Sequence, residues 1–403
     1  MIKPPYESRR PKSDFDIHKT GTKVFQIEKI FPYSFVPVQR YRSSATYGTI
    51  IHPDGAGTKP VQNYLHWRET DDINVFEWIA DDVVAMNLDD VFCVTSDTYP
   101  EFVDYVAINR FKLPKEEFLR VLNNGFRRVF STLQRYGINV SFLGGETAEV
   151  SDLVRTVDVS GTIRSRVKLK DAITGDKIIP SDVIIGLGSY GKSEWEYKEN
   201  SGIMSNGITV VRHSLMTPEY VKQYPEIADS DSMEYKGRFR TDQYLDELGM
   251  TVGEAIISPT RIFAPVLKFL IEKYRRDVHG IVHNTGGGLT KGLVIGKDIH
   301  YVKDNLPVPP PIFQFVQRES GRSWLNIYEG LNNGVGAEVI VPEGIAQDVM
   351  EDVDRFGIPV FRIGYCEPNA DKEKLSKRKN GTRMTIISEN GKFEYPYEEI
   401  GTL

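Results

Sequence analysis

Cysteine is nearly absent: Cys93 and Cys366 are the only two in 403 residues. That excludes a disulfide framework and points to a reducing compartment. No uninterrupted apolar run approaches the roughly 20 residues that a membrane span needs. Met1–Lys12 is polar, carries three prolines and lacks the apolar core of a secretory signal. A cytoplasmic protein is the expectation. Excess positive charge is missing too. Lys and Arg number 50 against 56 Asp and Glu, for a net charge of −6, so no electrostatic footprint for nucleic acid appears. Lys372–Lys379 is short and mixed in charge, and reads as a solvated loop. No GxxxxGK[ST] run occurs, which excludes a P-loop. There is no His/Cys cluster at zinc spacing, no Ser-His-Asp or Cys-His order, and no repeat at a solenoid period.

What remains is a globular chain. Forty per cent of residues are hydrophobic, enough for real cores. The length suggests two domains, or three small ones. Residues 1–20 lack periodicity and read as a mobile arm. Gly48–His52 reads as a strand that stops at Pro53. From Asn74 to Asp90 apolar residues recur at helical spacing, through Phe76, Ile79, Val83 and Met86. A second helix is expected from Lys115 to Tyr136, ended by Gly137. Asn139–Leu143 and Thr156–Arg164 read as strands. The polar segment Val167–Lys177 marks the boundary between a first domain, 21–170, and a second, 171–403. In the second, Asp182–Leu187, Val278–His283, Ala337–Val341 and Val360–Gly364 read as strands, and Pro259–Tyr274 as an amphipathic helix. Asn390-Gly391 marks a terminal hairpin. The polar stretches 192–203 and 218–247 look like surface insertions. Mixed helices and strands in both halves argue α/β (α+β) layers.

Five segments carry chemistry. Asp54-Gly55-Ala56-Gly57-Thr58-Lys59 follows a strand. Its glycines allow close backbone approach, Thr58 and Lys59 can contact phosphate oxygens, and Asp54 can hold a metal. In the second segment, Asp82 and Asp89 lie seven apart and share a helix face, while Asp90 falls on the apolar stripe. A carboxylate there is costly unless a cation compensates it, and a divalent ion, Lys or Arg would each serve. Gly144-Gly145-Glu146-Thr147 follows a strand and can present a carboxylate into a cleft. Hard oxygen ligands on three elements suit Mg2+, and Asp54, Asp90 and Glu146 can form such a set. Gly186–Gly191 is a formal GxGxxG, but Lys192–Asn200 behind it is polar and irregular, which rejects a dinucleotide fold. Finally, His283-Asn284-Thr285-Gly286-Gly287-Gly288 can cradle an anion on backbone N–H groups, with His283 placed to orient substrate or move a proton. Ser205-Asn206-Gly207 can start a helix at Asn206.

In this order the segments resemble the aminoimidazole ribonucleotide synthetase (phosphoribosylformylglycinamidine cyclo-ligase) family, most closely its longer bacterial form. Val157–Gly161, Pro259–Ile262 and Asn332–Gly336 match as well, and the resemblance covers most of 48–366. It implies two α/β domains, a homodimer through the first, and a small-molecule ribonucleotide substrate. It implies ATP and Mg2+ near Asp54, Gly55, Gly57, Thr58, Lys59, Asp82, Asp90 and Gly144–Thr147. It implies formylglycinamidine ribonucleotide near Ser205, Asn206, Gly207, His283, Thr285, Gly286, Gly287, Gly288 and Asn332. The family reaction phosphorylates the formyl oxygen with ATP, and the substrate's amine then closes the imidazole ring. Lys59, His283 and Asp54 are the expected catalytic residues. Three departures stand out: Asp89 where Asn is usual, Met204 where many members have His, and no glycine-rich stretch before Tyr47. The alternatives are another ATP-dependent member of the superfamily, of the thiamine-phosphate kinase or selenophosphate synthetase type, and a non-catalytic nucleotide-binding paralogue.

Overall fold

Val157–Lys168 is buried at every second residue, as a half-buried strand requires. In the computed structural model this run is the middle strand of a five-stranded sheet. The structure describes residues 30–42, 44–228, 235–370 and 380–395. The expected arm at 1–20 and the Lys372–Lys379 loop lie outside them. The strands are β1 (Gln39–Arg40), β2 (Tyr47–Gly55), β3 (Glu101–Ile108), β4 (Ser141–Glu149) and β5 (Val157–Lys168), in the order β1-β2-β5-β3-β4. Only the β3–β4 pair is parallel. Helices α1 (Lys59–Thr70), α2 (Ile79–Phe92) and α3 (Lys115–Arg135) belong to this half, and α2 lies on β2 and β5 with α3 against it. Gly137, at φ 74°, turns the chain after α3, where the sequence placed the end of that helix.

Two strand limits differ from expectation. β2 does not stop at Pro53 but runs on to Gly55, with Pro53 opposite Thr162. Beyond Thr49 it has, among the described residues, a neighbour on one side alone, so a residue without an N–H fits there. β4 continues through Gly144–Thr147, which are therefore strand and not loop. The register shifts opposite Phe102–Asp104, and Gly144 takes φ 103°, so a bulge carries the strand past its glycines.

The second half builds a seven-stranded mixed sheet. Its strands are β6 (Val183–Gly188) and, after the short β7–β8 hairpin (Tyr244–Leu245, Met250–Thr251), β9 (Gly280–His283), β10 (Ile299–Lys303), β11 (Val335–Val341), β12 (Val360–Pro368), β13 (Arg383–Ser388) and β14 (Gly391–Tyr395). The order is β14-β13-β10-β12-β6-β11-β9. The β13–β14 hairpin turns at Asn390-Gly391 as expected. The helices are α4 (Ile208–Leu215), α5 (Glu219–Gln223), α6 (Val252–Ile257), α7 (Ala264–Tyr274), α8 (Pro311–Ser320), α9 (Trp324–Gly330) and α10 (Ala346–Asp354). Helices layered on two mixed sheets make the fold α/β. One apolar cluster, containing both Val159 of the first sheet and Val339 of the second, joins the halves. Among the described residues no helix is long and apolar enough to cross a membrane.

The stretch 218–247 is not surface decoration. Tyr220, Tyr235 and Phe239 are buried, Tyr224 bonds Glu69 of α1 at 2.7 Å, and Arg240 pairs with the same carboxylate. In 192–203, Trp195 packs edge-on against Tyr136 and Phe356. Aromatics at irregular spacing give no periodic signal, so these straps read as polar loops.

Candidate active site

The pleat of β2 sorts its functional residues. His52 pairs with Ile163 and Asp54 with Gly161. Ile163 is buried among the apolar residues under α2, so His52 and Asp54, two residues apart, share the inner face of the sheet. Asp90, in the last turn of α2, meets them there. One donor atom from each of His52, Asp54 and Asp90 lies within 4.8 Å of the other two. His52 Nε2 stands 3.3 Å from Asp90 Oδ2, off the line of a hydrogen bond. Asp90 Oδ1 is paired with Nδ1 of His283 at 2.8 Å. Burial works to raise the Asp90 carboxyl, but the two histidines outweigh it and hold it below the usual carboxylate range. Burial alone would lower the His52 imidazole, yet the Asp90 carboxylate raises it on balance.

The loops around this cluster are glycine-built. Gly57 takes φ 62° and faces the Ser205 carbonyl. The Thr58 hydroxyl meets that of Thr209 at 2.8 Å, at the start of α4. Asn206 donates from Nδ2 to Met86 Sδ on α2 at 3.6 Å, and its side-chain oxygen lies 3.4 Å from where a Cβ on Gly286 would stand. Gly287 and Gly288 take φ 109° and 50°, and a Cβ on Gly288 would come within 2.4 Å of the Leu331 carbonyl. Larger residues are therefore excluded at the turn. The segments 54–59, 205–207 and 286–288 thus lie against one another, with Asp54 beside Asp90. Thr285 is buried in the same turn, its carbonyl accepting from Gly288 N at 2.9 Å.

The four carboxylates of α2 do different things, and Asp81 pairs with Arg128 of α3. Asp82 and Asp89, on one helix face, both hold the segment 258–264. Asp82 Oδ1 accepts from Lys59 Nζ at 2.7 Å, Thr260 N at 2.9 Å and the Thr260 hydroxyl at 2.6 Å. Asp89 accepts from Phe263 N at 2.8 Å and Ala264 N at 2.7 Å, which caps α7. The expected Pro259–Tyr274 helix therefore begins only at Ala264. Burial pushes the Asp89 carboxyl up to about 7, against the pull of His283 and the two N–H groups. Asp89 is a cap, and Asp89→Asn is expected to keep one of the two bonds. A stability change within about 1 kcal/mol and unchanged turnover are expected, checked by thermal melting beside an activity assay.

Several sequence-predicted residues sit elsewhere than their assigned roles require. Lys59 is 0% exposed, its ammonium shared between Asp82 and the Ser258 carbonyl. Burial lowers its pKa, with Asp82 opposing. No phosphate can reach it in this arrangement. Glu146 pairs in register with Tyr105, which faces outward, so its side chain is on the opposite sheet face from Asp54. β4 is also three strand spacings, about 14 Å, from β2. One ion cannot join Glu146 to Asp54 and Asp90 of the same chain. Gly145 is needed because a Cβ there would strike Asp104, and Thr147 is exposed beside it. Asn332 is turned inward, donating to the Gly202 carbonyl at 3.1 Å and accepting from Gly334 N at 2.8 Å. His283 is fully buried and grips Asp90, so it faces no open cleft. The Gly186–Gly191 turn presents its carbonyls to Arg261, which donates to Gly188 at 2.7 Å, Tyr190 at 3.0 Å and Gly191 at 3.1 Å. Carbonyls aimed inward suit a cation, and here the Arg261 guanidinium fills that place.

Two residues escaped the sequence reading. His52 was legible as the residue two before Asp54 on one strand face. Lys291, on the turn after Gly288, acts electrostatically on both His52 and Cys93, and nothing in its local pattern marks it.

No protein-family model matches the chain. Among curated relatives, phosphoribosylformylglycinamidine cyclo-ligase from Pyrococcus horikoshii is 31% identical over 328 residues, covering 81% of each chain. The enzyme of that name from Methanocaldococcus jannaschii is 30% identical over 323 residues, 79% of this chain and 78% of the relative. That from Methanococcus vannielii is 29% identical over 350 residues, 84% and 85% of the two chains. Among solved structures, a HypE–HypF complex aligns with a TM-score of 0.51 at 12% identity, over 92% of this chain and 96% of that one. Thermotoga maritima PurL complexed with ADP aligns at 0.51 and 11% identity, over 93% of this chain and 46% of that one. At such identities the structural likeness establishes a shared fold.

Proposed function

Because the chain belongs to the phosphoribosylformylglycinamidine cyclo-ligase family, we propose that it closes the imidazole ring of aminoimidazole ribonucleotide at the junction of its three glycine loops. The mutual approach of 54–59, 205–207 and 286–288, with Asp54 beside Asp90, supports the reading. ATP transfers its terminal phosphoryl group to the formyl oxygen of formylglycinamidine ribonucleotide, leaving ADP. The substrate's amine then bonds to the formyl carbon, and the carbon–oxygen bond breaks to release phosphate. The chain supplies positioning more than covalent chemistry. The Gly55–Thr58 backbone approaches the ATP phosphates. The Gly286–Gly288 turn and Asn206 hold the ribonucleotide.

Asp54 and Asp90 suit a hard divalent cation such as Mg2+, which when bound neutralises charge on the phosphoryl oxygens. His283 keeps the Asp90 carboxylate oriented toward that position. His52 is a nitrogen donor and is foreign to an all-oxygen set. Ile51, Val103 and Tyr105 leave an apolar outer face on the first sheet, which a second copy would cover in a homodimer. Sedimentation showing only monomer at micromolar concentration would remove that part.

The test is an assay with formylglycinamidine ribonucleotide and ATP that follows ADP and the imidazole product together. One ADP per imidazole is expected. ADP release without imidazole would favour a kinase of the same fold, and neither product from folded, metal-replete protein would overturn the reading.

A further inference from the structure

The nitrogen donor at the metal position changes which ion the site should prefer. His52, Asp54 and Asp90 come from two elements, and their donor atoms converge within 4.8 Å. His52 Nε2 is enclosed and has no hydrogen-bond partner, although Asp90 Oδ2 is only 3.3 Å away. The other Asp90 oxygen is tied to His283 at 2.8 Å, so Oδ2 is the one turned toward His52. Asp54 is oriented in turn, with Oδ1 accepting from Gly55 N at 2.8 Å. Ligand carboxylates held from behind in this way are a recurrent feature of metal centres.

We propose that His52, Asp54 and Asp90 form a mixed nitrogen–oxygen site that selects Mn2+ over Mg2+. The inference rests on the ATP-site reading above and names its ion. Mg2+ gains little from an imidazole, because it demands oxygen ligands and keeps its waters. Mn2+ accepts carboxylate, phosphate and imidazole together in the same octahedral arrangement. Zn2+ takes imidazole more readily but favours four-coordinate sites, which leaves too few positions for phosphate oxygens.

Titrating the full chain with Mn2+ at pH 8, with free Mn2+ followed by its paramagnetic resonance signal, gives a readout independent of turnover. One site per chain is expected, with Mn2+ bound at least about tenfold more tightly than Mg2+ in competition. Pulsed resonance should show nitrogen coupling from one imidazole. His52→Asn should abolish that coupling and weaken Mn2+ about tenfold, with Mg2+ affinity changed less than about twofold. Absence of nitrogen coupling in the unaltered protein overturns the proposal, whether or not the variant folds. So does a folded His52→Asn protein with unchanged Mn2+ affinity. A nitrogen-coupled Mn2+ site without imidazole product would sink the cyclo-ligase reading and leave this inference standing. Turnover with Mg2+ and no nitrogen coupling would do the reverse.

Discussion

Asp90→Asn is expected to lower kcat/KM for ATP by about 10³-fold or more, roughly 4 kcal/mol of transition-state stabilisation, while the chain stays folded. Asp90 is the one carboxylate of α2 that faces His52 and Asp54, since Asp81 pairs with Arg128 and Asp82 and Asp89 are both spent on the 258–264 segment. Asparagine keeps the shape and loses the charge. A site with two carboxylates is left with one, and phosphoryl transfer depends on charge neutralisation more than on any covalent group. The fold should tolerate the change, because an amide of the same shape can still meet His283. ADP release, imidazole formation and thermal melting, measured on one preparation, check this. Near-normal turnover would show that the metal is held elsewhere. The contrast with Asp89→Asn sharpens the test: adjacent acids, the same substitution, and opposite outcomes.

The difference between those neighbours shows what the sequence could and could not disclose. The helical period already put Asp82 and Asp89 on one face and Asp90 on another. It could not say what each face meets, because their partners, Lys59 and the N–H groups of Phe263 and Ala264, are remote in the chain. The glycine loops were legible because backbone constraint is local: Gly57, Gly287 and Gly288 need positive φ, and only glycine takes it without strain. Glu146 was misplaced for a definable reason. Ending the strand at Leu143 turned an outward-facing strand residue into a loop ligand, and the pleat reverses that assignment. His52 joins Asp54 on one face only because β2 continues past Pro53, and a strand ending at that proline hides the pairing. Element order and fold class survived such errors, since β-branched runs and amphipathic helices constrain layers without needing exact ends.

Lys59→Met is expected to destabilise the protein by about 3–5 kcal/mol, the cost of leaving a buried charge without its counterion. Lys59 and Asp82 are both 0% exposed. Their pair ties the start of α1 to α2 and, through Ser258 and Thr260, to the second half of the chain. Removing the ammonium strands the Asp82 carboxylate on Thr260 alone and leaves the Ser258 carbonyl unpaired. Thermal melting of Lys59→Met against Lys59→Met/Asp82→Leu separates the two roles open to this lysine. If it is an internal tie, the second substitution restores part of the lost stability, because it removes the stranded charge while leaving the Thr260 N–H and hydroxyl without their acceptor. If it instead serves ATP phosphates, the single variant melts normally and loses ATP use. Burial favours the tie: an ammonium that would have to leave Asp82 before touching a phosphate instead holds the start of α1 to α2 and to the 258–260 segment.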